Sequence, residues 1–421
     1  MPSSNNKHHL EDYAPIVTSG VIREIEELAR LLGPVRIVHV NSTKEGGGVA
    51  EILGWFIPII EELGMKVDWE VITGEKDFFT ITKKFHNALH GQPEEFTEEM
   101  FAAYLDNVGK NAPKIPEDAD FVVIHDPQPA AMIGEYPDRK NRWAWRCHID
   151  LSEADLRVWG FLRPFVERYD GAVFHLPQYT KNLMAPQFIV PPAIDPLAPK
   201  NEKLSEEEVS STLHKLGVAN DKRIILQVAR FDRLKGPFGA IEAFRLVRRW
   251  YDCCLILAGG SATDDPESQA VLAEVQDMAG DDPDIHILNL PPDSHREINA
   301  LQRAATVVVQ NSRREGFGLT VTEAMWKAKP VVGTDIGGIR HQIIHGVSGF
   351  LTHSVEGLAY RIRQLFGNPG MAKRFGQQAR EYVRNNLLVP HHIRRWLLVF
   401  HSLRQSGNGD LITLPPHEIT E

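Results

Sequence analysis

The chain has 421 residues, more than one ordinary hydrophobic core holds, so two domains are expected. Its hydrophobic content of 43% and charged content of 24% are those of a globular protein, and a formal net charge of -10 gives no basis for a nucleic-acid or anionic-membrane partner. Cys147, Cys253 and Cys254 are the only cysteines, too few for a disulfide scaffold, and the adjacent pair stands in an apolar run where buried free thiols are expected. The polar start, Met1 to His9, and the lack of any apolar run of membrane-spanning length complete the expectation of a reduced, cytoplasmic protein.

Taken in order, residues 1–15 read as irregular and Val17 to Leu32 as a helix. Val35 to Val40 suits a buried strand and leads through Asn41 to Glu45 into Gly46-Gly47-Gly48. A helix follows to Leu63, with a kink expected at Pro58. Val67 to Ile72 reads as a strand, Phe78 to Leu89 and Thr97 to Val108 as helices. Phe121 to His125 and Arg142 to Cys147 are further strands, ending in Asp126-Pro127-Gln128-Pro129 and His148-Ile149-Asp150. Asp155 to Arg168 is helical and Gly171 to Phe174 extended. Pro191 to Lys203, with four prolines, is the candidate linker. A second alternating series then places strands at Arg223 to Val228, Cys253 to Ala258, Ile285 to Leu288, Thr306 to Gln310 and Pro330 to Gly333. Helices fall between and after them, the last at His392 to Leu403, and the tail from Ser406 reads as irregular. Strands alternating with helices predict α/β domains, each a parallel sheet covered on both faces.

Doubly wound sheets place ligands at the carboxyl ends of their strands, and every unusual cluster in this chain falls at such an end. In Asn311 to Lys329 a strand enters a glycine-containing turn and a helix opens at about Gly318 to Thr320. Free amides and the helix dipole make that end an anion site. Glu315 and Glu323 flank it, on the order of 10 Å apart at ~1.5 Å rise per residue. A nucleotide sugar, with hydroxyls at both ends and phosphate between, suits that spacing. The alternative is a capping box, Thr320 with Glu323, and a Glu315 that merely complements the dipole. Arg230 and Lys235, with Arg233 as a weaker third, follow the strand Arg223 to Val228 and can hold a pyrophosphate, or form a solvated basic loop. Gly46 to Gly48 lets backbone amides approach a ligand, or simply makes a turn, and lacks the spaced glycines of a nicotinamide site. His148 can bond a sugar hydroxyl, or be structural. Asp126 and Gln128 can take paired hydroxyls, or make an Asx turn. Gly337-Gly338 brings backbone near a ligand, or turns the chain. Trp143, Trp145 and Trp159 are expected in the core rather than stacked on sugars.

Together the two alternating domains, Arg230 with Lys235, and Glu315-Gly-Phe-Gly-Leu-Thr-Val-Thr-Glu323 resemble the retaining glycosyltransferases of family 4, with the GT-B architecture. Several segments are similar to the trehalose glycosyltransferring synthases of that family: Glu45 to Glu51, Ile124 to Pro129, Trp145 to Asp150 and Glu323 to Lys327. One departure stands after Gly337-Gly338, where many members carry proline then an acid and this chain has Ile339-Arg340-His341-Gln342.

The resemblance implies two Rossmann-like domains facing a central cleft. The acceptor-side domain would span 1–195, with a helical segment 388–421 packed back on it, and the donor-binding domain 196–387. It implies transfer of glucose from a nucleoside diphosphate glucose, ADP- or UDP-linked, to free glucose, giving trehalose with retention. Glu315 would hold donor-sugar hydroxyls beside the backbone of Gly316, Phe317 and Gly318. Leu319 and Thr320 amides, Arg230 and Lys235 would meet the phosphates, approached also by Gly47 and Gly48. Glu323 would bind the ribose, backbone near Gly260 and Leu290 the base, and His148 the donor sugar. Asp126, Gln128 and Glu45 are the acceptor-side candidates. No tightly bound cofactor and no metal site are expected, although magnesium could stimulate, and a homodimer is expected. Trehalose phosphorylase chemistry, another acceptor such as in sucrose synthesis, or a nucleotide-sugar sensor without turnover are the alternatives.

Overall fold

The structure, a computed structural model, describes residues 8–44, 47–219, 221–260, 266–405 and 411–412. The chain divides into two compact units, Met1–Ala193 with Val389–Glu421, and Ile194–Leu388. Each is α/β with one parallel sheet.

In the first unit β1 (Arg36–Asn41), β2 (Lys66–Val71), β3 (Phe121–His125), β4 (Arg142–Arg146), β5 (Gly171–Phe174) and β6 (Gln187–Ile189) lie in the order β6-β5-β4-β3-β1-β2. The central strands are largely apolar because helices cover both faces, and β3 and β5 are buried along their whole length, His125 included. β2, at the edge, alternates polar and apolar residues and is only half buried. The order reverses at β1, whose neighbours are β2 on one side and β3 on the other. That crevice is where a doubly wound sheet accepts ligands.

Two helices seal one face. Ser19–Leu32 buries Val21, Ile22, Ile25, Ala29 and Leu32 at helical spacing. It meets Val389–Gln405, whose Ile393, Trp396, Leu397 and Phe400 are buried. Arg394 Nε donates to Glu24 Oε1 at 2.7 Å across this contact. The helix expected over Val17 to Leu32 is interrupted: Thr18 has φ 100°, and Ala14–Val17 is a separate short turn. Trp143 and Trp145 are wholly buried, as expected of core residues, and Cys147, Cys253 and Cys254 are buried free thiols.

In the second unit β7 (Arg223–Val228), β8 (Cys253–Gly259), β9 (Ile285–Asn289), β10 (Val307–Gln310), β11 (Val331–Thr334) and β12 (Gly349–Thr352) run in the order β12-β11-β10-β7-β8-β9, again all parallel. Here the reversal lies between β7 and β10. β6 and β12, three and four residues long, are strands that the apolar patterning missed. The expectation of an irregular tail from Ser406 mostly lies outside the described residues, but Leu411–Ile412 (β13) pairs with β6 at the edge of the first sheet.

The proline-rich stretch 191–203 is not a loose linker. Asn299 Nδ2 donates to the carbonyls of Pro199 and Glu202, Arg303 Nη2 to those of Asn201 and Glu202, and Asn201 is itself buried. Prolines fix φ and leave carbonyls without a helical partner, so side chains of the helix His295–Ala304 supply one.

A close helix crossing positions the site described below. The helix Leu319–Trp326 ends at Lys327, Ala328 follows with φ 55°, and a Cβ on Gly376 would stand 1.9 Å from the Ala328 carbonyl oxygen. Glycine in the middle of the helix Pro369–Asn386 is ordinarily a cost of about 1 kcal/mol relative to alanine. Here contact decides the sign. Gly376→Ala should destabilise the protein by about 1–3 kcal/mol, as overpacking does, read as a lower urea midpoint at unchanged slope. A gain in stability would show that the crossing is not the constraint.

Candidate functional site

The second unit brings Lys235 and Glu315 together across the β7/β10 crevice. Lys235 Nζ lies 2.9 and 2.8 Å from the two Glu315 carboxylate oxygens. Both side chains are largely withdrawn from water, with exposures of 19% and 10%, so the pair is more than a surface contact. Backbone welds the two loops that carry it. Arg313 N–H donates to the Leu234 carbonyl at 2.7 Å, and Gly236, at φ 65°, lies so close to Asn311 that a Cβ would stand 2.0 Å from its carbonyl oxygen. Only glycine meets both demands. Gly338 makes a similar approach to Phe317, and its N–H donates to the Glu315 carbonyl at 3.3 Å.

The helix Leu319–Trp326 starts beside this pair. Its N-cap is Gly318, at φ 85°, and no side chain caps it. The capping-box alternative is thereby set aside: Thr320 lies inside the helix, and the Glu323 carboxylate does not return to a Thr320 amide. Glu323 is 2% exposed, with Lys200 Nζ 3.4 Å from one oxygen and Gln302 Nε2 3.4 Å from the other. Lys327 is buried one turn on, its Nζ on Asn201 Oδ1 at 2.9 Å and the Glu323 carbonyl at 3.3 Å. Burial, only partly offset by Glu323, pushes its ammonium down to about 7. Gly337 and Gly338 open a short helix, Gly337–Gln342, rather than a bare turn.

Arg230 follows β7 with a side chain 64% exposed and only a 3.8 Å approach to Asp232. It extends into solvent while Lys235 is held. At the ends of β8 and β9, Leu290 N–H donates to the Gly259 carbonyl at 2.8 Å, and a Cβ on Gly260 would come 3.1 Å from the Leu290 carbonyl oxygen. Gly259 ends β8, the neighbour of β7, with Gly260 directly after it, and Leu290 follows β9, one strand farther from Arg230.

Four glutamines that the sequence reading passed over brace these residues. Gln310 Nε2 reaches Ser312 Oγ at 2.9 Å and Glu315 at 3.5 Å. Gln342 donates to the carbonyls of Phe317 and Gly318 and accepts from Thr322 Oγ1 at 2.6 Å. Gln227 Nε2 donates to the Lys235 carbonyl at 2.8 Å, and Gln302 reaches Glu323. A buried amide needs partners and so reports a fixed geometry, but in the sequence it looks like any polar residue. Lys200 and Asn201 were hidden within the supposed linker.

In the first unit the residues at the strand ends also gather. Asp126, after β3, holds φ 64°, a conformation that an Asp tolerates better than most residues, and its Oδ1 accepts the His148 N–H at 2.7 Å. Its carboxylate thus ties the loop after β3 to the one after β4. Burial pushes its carboxyl up to about 7. His148 Nε2 and Nδ1 lie 3.0 Å from His125 and 3.1 Å from His175. Gln128 has a buried Oε1 without a hydrogen-bond partner among the described residues. It lines a cavity of about 390 Å³ with Ser42, Thr43, Phe79, Thr82, Lys83 and His86. Gly47 and Gly48 open the helix Gly47–Glu62, which runs through Pro58, and a Cβ on Gly48 would meet nothing. Glu45 and Gly46 lie outside the described residues. No group of three or more His, Cys, Asp or Glu side chains suited to a metal occurs among the described residues.

The buried imidazoles have a consequence for stability. Burial lowers His39 and His392 to about 3 and holds His125, His148 and His175 well below the usual range. Unfolded, each would take up a proton near pH 6.5; folded, it does not. Their contribution is therefore complete above about pH 6.5 and is lost as pH falls below it, at about 1.4 kcal/mol per histidine per pH unit. Asp126 acts oppositely, one group against five, because its folded carboxyl binds a proton first. Urea unfolding between pH 7.5 and 5.5 should show a steep fall below pH 6.5. A flat profile would contradict the neutral burial of these rings.

Comparison with known proteins identifies the family and the fold. Residues 39–181 match the family model "Trehalose synthase, N-terminal domain" and residues 210–382 the model "Glycosyl transferases group 1". A trehalose synthase of Pyrococcus horikoshii is 44% identical over 95% of this chain and 98% of its own. A trehalose phosphorylase of Pleurotus pulmonarius is 27% identical over 92% of this chain but 60% of its own. The solved structure of a sucrose-phosphate synthase from Thermosynechococcus elongatus superposes with a TM-score of 0.69 at 17% identity, covering 89% of this chain and all of that one, which shows the GT-B-like fold. With its strand-end site and a relative this similar over nearly the whole length, the chain belongs to the trehalose synthase family of glycosyltransferases.

Proposed function

We propose that the chain transfers glucose from a nucleoside diphosphate glucose to free glucose, forming trehalose with retention at the donor carbon. The observation that carries this reading is the Lys235–Glu315 pair at the reversal of the second sheet, beside an uncapped helix start. A fixed cation and free amides suit a diphosphate that gains charge as it leaves, and the carboxylate suits sugar hydroxyls. In this reading the diphosphate takes Lys235 from Glu315, with Arg230 and the Leu319 and Thr320 amides beside it. Glu315 turns to the donor hydroxyls next to Gly316 to Gly318. Glu323, shared with Lys200, meets the ribose, and backbone at Gly260 and Leu290 the base. In the first unit His148 is assigned to the donor sugar, and Asp126 and Gln128 to the acceptor, with the cavity at Gln128 as a hexose-sized recess.

The acceptor oxygen attacks the anomeric carbon on the face from which the diphosphate departs. The bond to the phosphate oxygen breaks, the new glycosidic bond forms, and the acceptor proton passes to the departing phosphate. No carboxylate nucleophile is required, and a nucleoside diphosphate needs little acid assistance.

Incubation with ADP- or UDP-glucose and glucose should release the nucleoside diphosphate and yield the α,α-linked disaccharide. Turnover of trehalose with phosphate and not with a nucleoside diphosphate would assign phosphorylase chemistry instead. Lys235→Ala should lower kcat by about 10²–10³-fold, the usual cost of one charge-stabilising group. Glu315→Ala should abolish turnover while nucleoside diphosphate affinity, followed by calorimetry, changes less than about tenfold. Unchanged turnover in either variant would reject the assignment.

A further inference from the structure

Four imidazoles run in single file through the first unit. His39 Nδ1 lies 2.9 Å from His125 Nε2, His125 Nδ1 3.0 Å from His148 Nε2, and His148 Nδ1 3.1 Å from His175 Nε2. They come from the carboxyl halves or ends of β1, β3, β4 and β5, which are neighbours in the sheet. The file crosses the reversal of strand order between β1 and β3. His148 is the partly exposed member; the other three are buried.

This is not a metal site in waiting. Each inner ring uses its two nitrogens on two different neighbours, whereas metal ligands converge one nitrogen apiece on a single point. Nor does it conduct protons outward at the His39 end. His39 Nε2 is buried without a hydrogen-bond partner among the described residues, and the rings of Phe56 and Trp396 pack on His39.

A neutral imidazole carries one N–H and one lone pair. Three links among four neutral rings therefore hold one proton each and must all point the same way. Both ends of the file, His39 and His175, are buried, so neither end sets the direction. Because the direction is common to all three links, the four rings share one tautomer, all Nδ1–H or all Nε2–H. We infer that His39, His125 and His175 are positioning residues that lock His148 as a neutral ring of one tautomer in a fixed plane, and so withhold it from acid–base work. His148 cannot take or release a proton without breaking a link. The charged and titratable groups around the file act consistently: burial and the cation of Arg146 keep His125, His148 and His175 neutral, with His392 adding in the same sense. Asp126 fastens the His148 backbone. The functional half of this inference rests on the proposed contact of His148 with the donor sugar.

The test has two parts. Long-range ¹H–¹⁵N correlation of the histidine rings in the full, ligand-free chain at pH 7.5 reads each tautomer directly, with single-histidine variants used only to assign peaks. All four rings in one and the same tautomer, unchanged down to pH 6.5, are expected. A mixture of tautomers among the four, or a cationic ring at any of them, overturns the inference, whatever the enzyme's substrates prove to be. The second part uses His125→Gln. It should lower kcat on the order of 10-fold with donor KM nearly unchanged, as misplacement of a substrate contact does, and should shift the His148 ring resonances as its tautomer is released. Unaltered kcat and an unaltered His148 resonance overturn the positioning role. If that variant does not fold, the wild-type spectrum still decides.

Discussion

The second unit is arranged around an ion pair placed where its sheet reverses direction. Lys235 follows β7 and Glu315 follows β10, strands adjacent in space and far apart in sequence. An ion pair so largely withdrawn from water is costly unless its geometry is held. Nearly everything nearby holds it. Gly236 and Gly338 permit the loops to touch, Gln227 fixes the Lys235 backbone, Gln310 reaches the carboxylate, and Gln342 ties down Phe317 and Gly318. The pair neutralises a cation and an anion that a ligand bearing both phosphate and hydroxyls can satisfy separately.

The first unit solves a related problem without charge. Its reversal point is lined by neutral imidazoles and by a carboxyl that burial pushes toward neutrality. Under the proposed reaction, the ionic groups at one crevice would meet the diphosphate and the neutral ones at the other the uncharged sugar. The arrangement makes acid the natural enemy of the first unit, since His39, His125, His148, His175 and His392 resist protonation only while the fold persists.

Much of this was legible in the sequence. Apolar runs alternating with amphipathic helices specified both parallel sheets, and Glu315, Glu323, Arg230 and Lys235 stood out because they cluster after strand ends, where doubly wound sheets accept ligands. What stayed hidden had physical reasons. β6 is too short for a periodic signal, and β12 holds only two apolar residues, Phe350 and Leu351, between Gly349 and Thr352. Asn201 and Lys200 lay in a proline-rich stretch that reads as a linker until its carbonyls find partners on another helix. The bracing glutamines have no spacing rule, because their partners are brought near only by the fold. His39 and His125 read as ordinary strand residues, and only the register of β1, β3 and β4 turns them into neighbours of His148. The capping-box alternative needed the helix to start two residues later than Leu319, a difference that patterning cannot resolve.

A structure determined with a bound nucleoside diphosphate tests the central claim most directly. The account predicts the diphosphate at the start of the helix Leu319–Trp326, with Lys235 Nζ on a phosphate oxygen and parted from Glu315. A diphosphate bound elsewhere, with the Lys235–Glu315 pair intact at 2.8 Å, would contradict it.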